Sequence, residues 1–93
     1  MRLQTWQIEA IKTTIHQLDP EARIILFGSR ADDAKRGGDI DLLILSQKLT
    51  PRHKRTLRLA LYEKLGEQKI DLLIASDTTS PLVRIALAEG VPL

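Results

Sequence analysis

The chain has 93 residues, 43% hydrophobic and 28% charged, with 14 basic and 12 acidic side chains and a net charge of +2. These proportions fit one folded domain over residues 1–93 with a thin core, and they exclude a low-complexity or fibrous chain. No apolar run is long enough to span a membrane, no cysteine offers a disulfide or a thiolate metal ligand, and the near-balanced charge does not by itself point to nucleic acid.

In chain order, Ile8, Ile11, Ile15 and Leu18 recur at helical spacing. They predict a first helix over 5–18, with Thr5 as its N-cap and Pro20 just beyond its end. Polar residues interrupt this stretch, so no secretory leader is expected in it, and a cytoplasmic location is. "ARIILF" (22–27) is short, β-branched and bounded by Pro20 and Gly28, which predicts a buried strand. "DIDLLIL" (39–45) and "KIDLLIA" (69–75) predict two more. Between them, Thr50-Pro51 marks a helix start, Leu57, Leu61 and Leu65 form its buried stripe, and Gly66 ends it. Ser80-Pro81 repeats the start signal for a last helix that runs to Gly90. Trp6, Phe27 and Tyr62 are the only aromatic residues, so the core is expected to be aliphatic, with Trp6 packed against it.

The resulting order is α-β-(short α)-β-α-β-α, an α/β (α+β) fold with a small mixed sheet packed by helices. Residues 28–38 are too few for a parallel crossover, so the first two strands are expected to be antiparallel. The helical link over 46–68 suits a parallel pair of the second and third strands. "IDLLI" stands at both 40–44 and 70–74, as if the two strands share one environment.

Asp39 and Asp41 lie two residues apart, so on a strand they share a face, and parallel pairing would bring Asp71 beside Asp41. Three carboxylates together are costly unless a cation sits among them. Magnesium takes carboxylate oxygens together with substrate phosphates, and two such ions can clamp an in-line phosphoryl displacement. Gly28 allows close approach of backbone to a phosphate, Ser29 offers donors where a short helix begins, and Arg30 adds positive charge.

As a set, Gly28-Ser29, nine residues, Asp39-Ile40-Asp41 and the later strand acid Asp71 resemble the DNA-polymerase-β-type nucleotidyltransferase superfamily. More narrowly the chain is similar to the minimal nucleotidyltransferases (MNT, or MntA-like) of prokaryotes, and the ending "SPLVRIALAEGVPL" is typical of that group. The resemblance implies a polymerase-β-like core and transfer of AMP from ATP to a hydroxyl with release of pyrophosphate. It assigns Asp39, Asp41 and Asp71 as catalytic and magnesium-binding acids, with Asp71 helping to activate the nucleophile. Gly28 and Ser29 correspond to the residues that hold the β- and γ-phosphates. It also implies a HEPN-type protein partner, adenylylated on a tyrosine when the pair is a toxin–antitoxin system. Two departures stand out: Gly38 replaces the serine that often precedes Asp-x-Asp, and the gap after Ser29 is nine residues, where the antitoxin-type motif usually has ten or so.

Each feature also has a plainer reading. Asp39 and Asp41 could be a solvated strand end behind Gly37-Gly38, Ser29 a simple helix cap, and Arg30 a surface ion-pair partner. Asp32 and Asp33 read as solvated loop, and neither His16 nor His53 has a metal-ligating neighbour. "PRHKRTLR" (51–58) could be a solvated helix face, a surface for an acidic protein, or an RNA contact, although it lacks the aromatics that RNA readers use for stacking. Two alternatives therefore accompany the adenylyltransferase: a non-catalytic subunit that neutralises its partner by binding, and an enzyme acting on RNA or on a small hydroxylated molecule. A homodimer or a hetero-oligomer is open on this reading.

Overall fold

Continuous apolar runs give the strands, and the helical stripes cover them from both sides. The computed structural model describes residues 3–31, 38–66 and 68–93, apart from the side chain of Ser29. Helix α1 spans Thr5–Leu18 and strand β1 Arg23–Phe27, followed by a 3₁₀ turn over Gly28–Ala31. Strand β2 is Ile40–Leu45, helix α2 is Lys54–Leu65 behind a 3₁₀ turn at Pro51–His53, and β3 is Ile70–Ala75. Helix α3 spans Pro81–Glu89 and a two-residue strand, β4, covers Val91–Pro92.

The sheet order is β3-β2-β1-β4. β1 runs antiparallel to β2 and to β4, whereas β2 and β3 are parallel, as the lengths of the two links predict. The repeated "IDLLI" segments lie side by side residue for residue: Ile40 against Ile70, Asp41 against Asp71, through to Ile44 against Ile74. Alternation then assigns the faces. Ile40, Leu42, Ile44, Ile70, Leu72 and Ile74 enter the larger core with Ile11 and Ile15 of α1 and Leu57, Leu61 and Leu65 of α2. The opposite face carries Ile25 and Leu43 under Val83 and Ala86 of α3, with Leu73 and Ala75 only partly covered. The fold is thus α+β with a small mixed sheet, as expected.

Several details differ from the sequence reading. Gln4, not Thr5, caps α1, and its N–H donates to Oε1 of Gln7 at 2.8 Å. The buried side of α1 is Gln7, Ile11, Thr14 and Ile15, a face rotated away from Leu18, which is 44% exposed. Trp6 does not pack into the core: it is half exposed and its indole N–H donates to Gln4. The second and third strands begin one residue later than predicted, which leaves Asp39 and Lys69 just ahead of the paired segment. β4 was not anticipated. Asp32, Asp33 and Gly37 lie outside the described residues. Among the described residues no helix is long and apolar enough to cross a membrane.

Arg58, in the basic stretch, donates from Nε to the carbonyl of Ile70 at 3.2 Å and so covers one polar group on the outer edge of β3. An occupied edge is less available for pairing with another chain. His53 accepts the N–H of Thr50 at Nδ1, 2.9 Å away, so its role is to close the turn before α2. His16 likewise engages a local backbone group, with Nε2 3.0 Å from the carbonyl of Ala22.

Candidate active site

The sheet register places the acids. Asp41 stands opposite Phe27 of β1 on one side and Asp71 of β3 on the other, on the face that α3 covers only in part. Asp41 is partly buried and Asp71 is exposed. Just ahead of the paired segment Asp39 meets Lys69, whose Nζ lies 3.4 Å from Asp39 Oδ2. The predicted convergence of strand acids is therefore present for Asp41 and Asp71, with Asp39 beside them but turned onto a lysine.

Electrostatics show how close the groups are. Burial pushes the carboxyl of Asp41 above its ordinary range, the charges of Asp71 and Asp39 push it further, and a hydrogen bond with Asp71 adds to the rise. Lys69 acts in the opposite direction. The cluster thus holds negative charge against its own repulsion, the condition that a bound cation relieves.

Gly28 completes the close approach. It follows β1 directly and has φ +72°, a backbone region that side chains disfavour. A Cβ at this position would run into Oδ2 of Asp41. The turn at Gly28–Ala31 therefore presses bare backbone against the carboxylate. Arg30 Nε donates to the carbonyl of Gly38 at 3.3 Å, joining this turn to the residue before Asp39. Ser29 belongs to the same turn by its backbone.

Among the described residues no three His, Cys, Asp or Glu side chains stand ready to hold one metal ion. The donor chemistry nevertheless suits a hard divalent cation: all the candidate ligands are carboxylates, two of them in contact and the third one ion pair away. The acids lie on the open face of the sheet. Among the described residues, a cavity of about 360 Å³ lies at the far end of β2 around Asp19, Ser46 and Lys48, and one of about 250 Å³ lies between α1, β1 and the C-terminal residues.

Lys69 was missed in the sequence. Its signal was its odd-numbered place two residues before Asp71, hence on the same face. Also missed was Asp19, buried at 3% exposure, which accepts the hydroxyl of Ser46 at 2.5 Å and the N–H of Glu21 at 3.0 Å.

The sequence model of the nucleotidyltransferase domain matches residues 8–93, and the chain belongs to that family. Its function is accordingly nucleotidyl transfer, and members of the family generally use a nucleoside triphosphate and a divalent metal. No curated protein matches the chain closely enough to be counted a relative.

Proposed function

We propose that the chain transfers AMP from ATP, with magnesium, to a hydroxyl group, and that the acceptor is a tyrosine of a HEPN-type partner protein, the reaction of an antitoxin in a toxin–antitoxin pair. The observation that carries the transfer chemistry is the juxtaposition of Asp41, Asp71 and the backbone of Gly28 on one open face. The choice of acceptor rests on the resemblance of the whole motif set to minimal nucleotidyltransferases.

In this reading Asp41 and Asp71 hold magnesium, and Asp39 joins them. A divalent ion held by these carboxylates would supply charge neutralisation of the triphosphate. Gly28 admits the β- and γ-phosphates against the backbone of the 3₁₀ turn, with Ser29 and Arg30 as the further phosphate contacts. Asp71, the more exposed of the contacting pair, faces the approaching hydroxyl and takes its proton. The hydroxyl oxygen bonds to the α-phosphorus, the bond to the bridging oxygen breaks, and pyrophosphate departs.

The test is incubation with α-labelled ATP, magnesium and the product of the neighbouring gene. Label is expected on a tyrosine of that protein, and Asp71→Asn should reduce its rate about a thousandfold, the several kcal/mol that a metal-held charge supplies to the transition state. Because Asp71 is exposed, the variant keeps its fold and the loss reports on chemistry. Partner inhibition that survives Asp71→Asn without any label would overturn catalysis in favour of binding alone. Label found only on RNA or on a small hydroxylated compound would overturn the choice of acceptor.

A further inference from the structure

The ion pair between Lys69 and Asp39 occupies a carboxylate that the metal reading needs. Its place is fixed by the sheet and not by a loose loop. The N–H of Ile40 donates to the carbonyl of Lys69 at 3.0 Å, so the backbones that carry the two side chains are tied together at the mouth of the parallel pair. By alternation Lys69 shares the face of Asp71 and Asp41, and its charge acts on Asp41 as well. The lysine side chain is 72% exposed and that of Asp39 is 39% exposed.

We propose that Lys69 is a resident counter-cation of the acid cluster, and that its ion pair with Asp39 and a divalent ion held by all three carboxylates are mutually exclusive states. The proposal rests on the reading of these acids as metal ligands. Three carboxylates and one ammonium leave a net charge of −2 at the site, so the lysine softens the repulsion of the metal-free protein without abolishing the attraction for a divalent ion. Its exposure sets the strength of this hold. A deeply buried pair would resist the metal, because breaking it strands a charge in low dielectric. An exposed pair is weak and swings into water at little cost. Lys69 thus supports the metal-free state and yields to the ion. Its geometry also accounts for the acids not standing ready as a set of three: the third ligand faces the lysine.

Titration of Mn²⁺ into the metal-free protein tests this, with Mn²⁺ as a magnesium substitute that calorimetry and paramagnetic resonance both detect. Lys69→Met is expected to bind Mn²⁺ about two- to fivefold more tightly than wild type, the size of one exposed ion pair. The same variant should melt at a lower temperature in chelator and gain more from added Mn²⁺. Lys69→Arg keeps the charge and should resemble wild type. Equal or weaker binding by Lys69→Met, with wild type binding normally, overturns the proposal and leaves the proposed function intact. A wild-type chain that binds no Mn²⁺ overturns the reading of the acids as metal ligands, and the proposal with it.

Discussion

Asp19 and Asp41 are carboxylates at opposite ends of the same sheet, and their surroundings act on them in opposite directions. Asp19, between α1 and β1, is the more deeply buried, yet its carboxyl is held below the ordinary range, first by the hydroxyl of Ser46 and then, against the cost of burial, by the N–H of Glu21 and the charge of Lys48. Ser46 in turn accepts the N–H groups of Lys48 at 3.0 Å and Leu49 at 2.8 Å, so one network joins the end of α1, the end of β2 and the link that follows it. Asp41, only partly buried, has carboxylates as its neighbours and is pushed up. Burial alone therefore does not decide the state of an acid; the groups supplied with it do. At one end of the sheet the acid holds the chain together, and at the other the acids face one another with a single lysine among them.

The sharpest way to break this contrast is to remove the satisfied acid. Asp19→Ala leaves the hydroxyl of Ser46 and the N–H of Glu21 without their acceptor and opens a small void, and it should cost about 2–3 kcal/mol of stability at neutral pH. Chemical denaturation at constant slope measures this. Transfer activity at a temperature where the variant is folded should be unchanged, since Asp19 lies at the other end of β2 from Asp41. A cost under about 0.5 kcal/mol would mean that water replaces the carboxylate and that the network is not structural.

A second change acts at the unsatisfied end. Gly28→Ala puts a methyl group where Oδ2 of Asp41 lies, in a backbone conformation at φ +72° that alanine resists. The expected loss of stability is about 1–2 kcal/mol, combining the strained backbone with displacement of the carboxylate. Because Asp41 must move, the melting-temperature rise expected of the wild type with magnesium and ATP should be smaller in this variant. A variant that loses stability but keeps the full ligand response would show that the close approach of turn and carboxylate is incidental to binding.

Much of this arrangement is legible in the sequence because strand pairing turns spacing into position. Two copies of "IDLLI" with a helical link between them predict a parallel pair, and the observed register makes Asp41 and Asp71 neighbours without any side-chain detail. The short link over 28–38 likewise predicts the antiparallel β1–β2 pair. What periodicity does not reach is local or long-range. Val91–Pro92 is too short to show alternation, and its proline can serve only because β4 lies at the edge of the sheet, against Ile25 and Leu26. The contact of Asp19 with Ser46 spans 27 residues and joins two loop ends that carry no pattern. The turn of Asp39 toward Lys69 depends on rotamers, which a two-residue period does not specify. Trp6 misled because aromatic character predicts burial, whereas its own helix faces it outward with a glutamine as partner.

The smallest expected effect is also the most direct comparison of the two acids, because one acid titration passes first through the window of Asp41 and then through that of Asp19. Asp41 has a folded-state pKa raised above its unfolded value. The folded protein holds that proton more tightly, so Asp41 favours folding below the unfolded pKa, and the benefit is lost as pH rises through the folded pKa. At neutral pH its charge opposes folding. Asp41→Asn should then stabilise the metal-free protein slightly at pH 7, and the gain should fade in acid toward the ordinary carboxylate value of 3.8. Asp19 has the opposite sign: its lowered pKa contributes stability above the unfolded value, lost as pH falls through the folded one, so the cost of Asp19→Ala should persist through the window of Asp41 and shrink only below the ordinary value of 3.8. Saturating magnesium should cancel or reverse the gain of Asp41→Asn, since the wild-type carboxylate then has a cation to meet, and should leave the cost of Asp19→Ala unchanged. Parallel pH profiles for the two variants, with the same sign and no response to magnesium, would mean that both acids are structural and that the repulsion at Asp41 has no ligand as its purpose.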